Sequence, residues 1–233
     1  MLSVIKNFEV EIKSLLSTKE KADLLLLKLK EKYPNTKKVR SGSQLNHYFI
    51  TPNDPSTLHK SLLSLVSDNS TKKEELENIF AHGKKISLRS RDSDGKVILV
   101  IKASVGDDTS SNGVKRVEFE LVVKMTLEEL DNFLLKAGCK YQAKWSRERE
   151  EYEADGMHVC LDKNAGYGYV AEFERVIQDS SDSALEDVRK ELLFVMKELG
   201  VEELPQERLE RMFAHYNENW QKYYGTENTF TLD

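Results

Sequence analysis

Three residues near the start of the chain, Glu9, Glu11 and Lys13, alternate with Val10 and Ile12 in the stretch FEVEIK. In an extended strand, residues two apart share a face, so two carboxylates and an ammonium stand together opposite an apolar face. The same split recurs along the chain. ISLRSR puts Arg89 and Arg91 on one face and Leu88 on the other. VILVIK sets Lys102 against Leu99 and Ile101, and KRVEFEL sets Arg116, Glu118 and Glu120 against Val117 and Phe119. SRERE aligns Arg147 with Arg149, VCLD places Asp162 opposite Leu161, and VAEFE places Glu172 and Glu174 around Phe173. Carboxylates on one shared surface suit hard divalent cations. Arginines and lysines on the same surface suit phosphate oxygens, for which the guanidinium supplies a fork of donors.

The elements that carry these residues can be read in order. Strands are expected at 8–13, 44–50, 84–91, 96–103, 114–122, 140–153, 157–163 and 169–177. The segment Asp92-Ser93-Asp94-Gly95 reads as a hairpin turn between two of them. Helices are expected after Ser17-Thr18, over 55–66, 72–80, 126–138 and 183–200, and from Pro205 to about Tyr223. Residues 106–113 read as a loop, Gly166 and Gly168 as turn glycines, and the terminal GTENTFTLD as loose. About eight strands with hairpin spacing predict an α+β fold in which an antiparallel sheet closes into an eight-stranded barrel. Helices would pack outside, and those at the C-terminus would act as a lid or a cover on the wall.

Two arrangements are open to such strands. On an open sheet the charged face is a solvated surface. In a closed barrel with helices outside, all the charged faces converge on the interior. The concentration of these faces in Glu and Arg, rather than Thr, Ser and Gln, favours the second. Burying one unpaired charge costs several kcal/mol, so an enclosed mixture requires mutual pairing, water or charged guests.

Composition bounds the rest. The chain has 233 residues, 39% hydrophobic and 32% charged, with a formal net charge of −5. It lacks the basic excess of a general nucleic-acid or anionic-membrane binder, so no nucleic-acid and no membrane partner is expected. Cys139 and Cys160 have no metal-site spacing and read as free thiols of a cytoplasmic protein. The five histidines are scattered, His47, His59, His82, His158 and His215, so no zinc site is expected. Phe213, Tyr216, Trp220, Tyr223 and Tyr224 are placed to stack a base or, more simply, to pack a helix.

The ordered motifs resemble the CYTH proteins, or triphosphate tunnel metalloenzymes. Glu9-x-Glu11-x-Lys13 matches their ExExK signature, and Gln44-x-Asn46-x-Tyr48-Phe49 stands where a QxDxYF strand is usual. Leu88-Arg89-x-Arg91, Val100-Ile101-Lys102, Arg116-x-Glu118-x-Glu120, Arg147-x-Arg149, Leu161-Asp162 and Glu172-x-Glu174 follow in family order. The resemblance spans roughly residues 8–177. It implies a tunnel domain over 1–200, with 201–233 as a C-terminal helical extension of the same domain.

It also implies a bound small-molecule triphosphate (ATP, thiamine triphosphate or tripolyphosphate), Mg²⁺ or Mn²⁺, and a monomer or homodimer. Glu9, Glu11 and Glu174 would be metal ligands with Asp162 and Glu172 close by, and Glu118 and Glu120 would hold a second metal or orient the bases. Lys13, Arg89, Arg91, Lys102, Arg116, Arg147 and Arg149 would cradle the triphosphate. Glu11, Lys13, Lys102 and Tyr48 are the expected catalytic set, with Tyr48 and Lys102 as a supporting base pair in which Lys102 has a lowered pKa. The reaction implied is triphosphate hydrolysis. A class IV adenylyl cyclase and a polyphosphate-binding pseudoenzyme are the alternatives. Three departures stand out: Asn46 and Ile50 replace usual acids, and Arg147 replaces a usual Lys.

Overall fold

The computed structural model describes residues 8–104, 116–178 and 181–232. Eight strands run in the order β1 (Phe8–Ser17), β2 (Lys37–Ile50), β3 (Lys84–Ser93), β4 (Lys96–Ser104), β5 (Arg116–Val122), β6 (Lys140–Ala154), β7 (Met157–Asn164) and β8 (Gly168–Ile177). Six helices intervene or come after: α1 (Lys19–Lys32), α2 (Ser56–Leu65), α3 (Ser70–His82), α4 (Leu127–Lys136), α5 (Asp182–Glu198) and α6 (Gln206–Asn219). The expected strands and helices are all present; the loop expected at 106–113 lies outside the described residues.

All strand pairings are antiparallel, in the cyclic order β1-β5-β4-β3-β2-β6-β7-β8. The seam is thin, since β1 meets β5 at the single pair Glu9↔Arg116 among the described residues. Closure turns one face of every strand inward. The outward apolar faces are covered by helices. α1 and α5 pack on Val10, Ile12, Val159 and Phe173, and α2, α3 and α4 pack on Leu88, Leu99, Ile101 and Phe119. Among the described residues no helix is long and apolar enough to cross a membrane.

Local chemistry accounts for the joints. Asp94 and Gly95 both take positive φ (53° and 85°), the two-residue turn that matches strand twist. α4 begins with a reciprocal capping box, Thr126 and Glu129 each bonding the other's backbone N–H at 3.2 and 2.8 Å. Gly168 (φ +71°) has no room for a side chain, because a Cβ would stand 2.3 Å from the Ser17 carbonyl oxygen.

Two sequence expectations are corrected. β2 begins at Lys37 rather than near 44. Its first residues lack an alternating pattern of their own, but β6 supplies partners from Lys37↔Glu153 onward, and the Asp94 carboxylate accepts from the Ser43 N–H at 2.8 Å. The C-terminal tail is docked rather than loose. The Gly166 N–H donates to the Asn228 carbonyl at 3.0 Å, the Phe230 N–H donates back to the Gly166 carbonyl at 2.8 Å, and the Phe230 ring packs on Tyr167. Gly166 makes this close approach feasible, since a Cβ there would lie 2.8 Å from the Tyr216 ring.

Candidate active site in the tunnel

The barrel encloses a cavity of about 770 Å³. Cyclic strand order gives it two walls. β1, flanked by β8 and β5, lies across from β2, flanked by β3 and β6. The first wall carries Glu9, Glu11, Glu118, Glu172 and Glu174, whereas the second carries Arg89, Arg91, Arg147 and Arg149. Lys102 stands on β4 between them.

Register places the acids. Glu11 is paired with Glu174 across β1 and β8, and Glu9 lies one turn of the pleat away. One carboxylate oxygen from each of Glu9, Glu11 and Glu174 lies within 4.8 Å of the others. Three hard oxygen donors at this spacing fit a divalent cation of the Mg²⁺ or Mn²⁺ type. The other predicted acids are engaged differently. Glu118 accepts from Lys102 at 3.0 Å and Glu120 from Arg91 at 2.7 Å. Glu172 meets Lys13 at 3.4 Å and also the Arg149 guanidinium. Asp162 is fully buried and accepts from Arg149 at 2.6 and 2.7 Å and from Arg147 at 3.0 Å. Its two oxygens are therefore held by guanidinium groups, which orient Arg147 and Arg149.

The basic wall is ordered from behind by β2. The Gln44 side-chain oxygen accepts from Arg147 Nε at 2.8 Å, and the Asn46 oxygen accepts from Arg91 Nε at 2.8 Å. Asn46 thus keeps the acceptor that a carboxylate would offer there, without cancelling the charge of Arg91. Among the described residues Arg89 has no acidic partner; it donates to Ser87 Oγ at 3.2 Å and its guanidinium lies 4.4 Å from the centre of the Tyr48 ring. Arg116 pairs by its backbone with Glu9 and Ser104, and its side chain lies outside the described residues.

A family model of the CYTH domain matches residues 7–208. The chain belongs to the CYTH family. Its membership supports a triphosphate-related function and an enzyme of the triphosphatase or adenylyl cyclase kind. Solved structures with the same CYTH-like fold include a conserved hypothetical protein of Pyrococcus furiosus, 22% identical with a TM-score of 0.57 over 86% of this chain and 93% of that one. A Vibrio parahaemolyticus protein described as a candidate adenylate cyclase is 15% identical, with a TM-score of 0.57 over 89% and 98%. The Hippeastrum protein HpAC1, described as a candidate adenylyl cyclase with a dominant triphosphatase activity, is 17% identical, with a TM-score of 0.50 over 89% and 96%. At these identities the likeness establishes the fold. No curated protein is significantly similar in sequence.

Inside this CYTH tunnel the charges set one another's protonation. Burial pushes the Glu11 carboxyl up, but Lys13 and Lys102 outweigh it and hold the group at about 2. Glu174 is less well compensated. Burial and then the negative charge of Glu9 push it up to about 7 against the pull of Lys102. Glu9 is raised as well, by burial and by Glu118 and Glu11, again against Lys102. On the other wall, burial and the neighbouring Arg147 and Arg89 draw the Arg91 pKa down, a sign of positive charge crowded without full compensation.

The lowered pKa expected of Lys102 is not found in the metal-free tunnel. Burial pulls its pKa down, but Glu11, Glu118 and Glu9 more than reverse this, so the ammonium is raised above the ordinary lysine range and stays charged. It bonds Glu118 at 3.0 Å and Glu9 at 3.2 Å. Tyr48, its expected partner, instead lies against Arg89 and beside Trp145.

Several residues that shape the site carry no obvious chemistry in the sequence. Gln44 and Asn46 hold the arginines, and Trp145 and Tyr167 line the cavity with Phe213 of α6. The alternation of Gln44 and Asn46 with Leu45 and His47 was the available signal for the first two. For Trp145, its shared strand parity with Arg147 and Arg149 was the signal.

Proposed function

We propose that this protein hydrolyses a triphosphate inside the tunnel with the help of a divalent cation. The observation that carries this reading is the Glu9–Glu11–Glu174 cluster, of which Glu11 and Glu174 line one cavity with Arg89, Arg91, Arg147 and Arg149. Bound there, Mg²⁺ or Mn²⁺ would neutralise phosphate oxygens and act as a Lewis acid. Phosphoryl transfer asks the protein mainly for positioning and charge stabilisation. Arg89, Arg91 and Arg147 would grip the phosphate chain, and Arg149, held by Asp162 and Glu172, would complete the wall. Lys13 and Lys102, charged at neutral pH, would sit between chain and carboxylates and draw the terminal phosphate to the acidic side.

In the metal-free chain burial and Glu9 push the Glu174 carboxyl up to about 7; with a cation on the cluster, the Glu174 oxygen that does not hold it would accept the proton. Water would attack the terminal phosphorus, its proton would pass to a Glu174 oxygen, and the bridging P–O bond would break to release orthophosphate. Glu11, fully ionised, serves as a fixed negative ligand. Asp162, Glu118, Glu120 and Glu172 would orient the bases rather than bind metal.

The test is product analysis of the purified protein with ATP, tripolyphosphate and thiamine triphosphate, each with Mg²⁺ or Mn²⁺, beside a Glu9→Gln/Glu11→Gln variant. Orthophosphate released by the wild type and not by the variant is the expected result. Cyclic AMP and pyrophosphate from ATP would replace hydrolysis by a cyclase reaction. Binding without any product would reduce the protein to a polyphosphate-binding module.

A further inference from the structure

The cavity has a second chemical character that the phosphate chemistry leaves unused. One end is aromatic and is lined in part by α6. Trp145 lies near-parallel to Tyr216 at 3.5 Å and to Phe213 at 6.0 Å between ring centres, and Tyr167 meets it edge-on at 5.0 Å. Tyr48 links this end to the basic wall, with Trp145 and Phe213 6.3 and 6.4 Å from its ring on one hand and the Arg89 guanidinium 4.4 Å from it on the other.

Three polar atoms on residues lining this end have no hydrogen-bond partner among the described residues: Trp145 Nε1, Tyr167 OH and Asn217 Oδ1. The three atoms are themselves covered, so water in the cavity does not reach them. An unsatisfied buried polar group is costly, and one that persists calls for an explanation such as a missing ligand. The set is mixed: the indole N–H donates, the amide oxygen accepts, and the phenol does either. A phosphate chain presents acceptors alone and leaves Asn217 Oδ1 unmet. Stripping it of water against Leu204, Leu209 and Phe213 is also unfavourable. A flat heterocycle with donors and acceptors on its edge meets both demands, with its faces on the aromatic rings.

We infer that the Tyr48–Trp145–Tyr167–Phe213 end of the cavity is a binding site for a nucleobase-type heteroaromatic ring, and that the triphosphate this protein takes is organic rather than inorganic. The inference rests on the reading of the tunnel as a triphosphate site. The ring and the phosphate chain would meet at Tyr48, with the chain passing over Arg89. Because the three polar atoms are covered when the cavity is empty of a ring, Phe213 and Asn217 on α6 would shift as it docks.

The experiment compares ATP with tripolyphosphate in the wild type, Phe213→Ala and Trp145→Phe, following KM by orthophosphate release and Kd by calorimetry with a non-hydrolysable ATP analogue. Base–aromatic stacking of ordinary strength predicts that Phe213→Ala raises KM and Kd for the nucleotide about tenfold more than for tripolyphosphate. Trp145→Phe keeps a six-membered aromatic ring but deletes the five-membered half of the indole with its N–H, so it should weaken the nucleotide several-fold while Tm stays within a few degrees. Equal effects on both ligands, or tripolyphosphate binding as tightly as the nucleotide to the wild type, would overturn the ring site. If neither triphosphate is turned over but the nucleotide binds with Phe213-dependent preference, the ring site stands and hydrolysis falls. If tripolyphosphate is turned over and the nucleotide does not bind, hydrolysis stands and the ring site falls.

Discussion

Replacing Glu174 by Gln should stabilise the metal-free protein above neutral pH while removing its activity. Glu174 titrates at about 7 in the folded chain against an ordinary 4.5, because burial and Glu9 disfavour its charge. The folded state therefore binds more protons than the unfolded state between those two values, and stability falls as pH rises through that window. At 1.36 kcal/mol per pH unit the full penalty above pH 7 is roughly 3 kcal/mol. The cavity admits water, which screens the repulsion, so about 2 kcal/mol is the expected size. In a chain of this length that is a rise of about 4–8 °C in Tm. Part of the gain belongs to Glu9, which loses a negative neighbour. The assay is thermal unfolding of wild type and Glu174→Gln in a chelator at about pH 4.5, 6 and 8. The two proteins should melt together at the lowest pH, where the carboxyl is already neutral, and diverge as pH rises. Adding Mg²⁺ should reverse the order, since the wild type alone keeps the complete carboxylate set and gains stability by mass action. A difference that does not change with pH, or a less stable variant at pH 8 in chelator, would refute the reasoning.

Other parts of the tunnel make separate predictions. Arg89→Ala removes a cation that has no acidic partner among the described residues, so the fold should tolerate it while KM for a triphosphate rises on the order of 10–100-fold in steady-state assays. Asp162→Ala should do the reverse, costing about 3–5 kcal/mol by denaturant titration because Arg147 and Arg149 lose a fully buried counter-charge, with tripolyphosphate restoring part of it. Gly168→Ala forces a Cβ against the Ser17 carbonyl oxygen at positive φ, and chemical denaturation should show a loss of about 2 kcal/mol or more.

The positions that line the tunnel were legible because strand geometry repeats every two residues. Glu9, Glu11 and Lys13 had to share a face, and so did Arg89 with Arg91 and Arg147 with Arg149. The apolar residues between them could be buried only by helices, which left the interior to the charges. Pairing was not legible, because it depends on register and closure between strands far apart in sequence. Asp162 sits two residues from Asn164 and a hundred and more from Gln44, yet all three belong to the surroundings of Arg147.

Lys102 carries this limit into its chemistry. Seen along its own strand it is a lysine facing a basic wall, and a lowered pKa is the natural expectation. Its cross-strand partner is Glu118 and its neighbour across the seam is Glu9, and both act in the opposite direction. The docked tail and the aromatic end had the same origin, since Gly166, Tyr167, Tyr216 and Phe230 meet only once α6 has packed against β6. A strand's own sequence states which groups face inward; the sign of each group's pKa shift is decided by strands that the sequence does not place beside it.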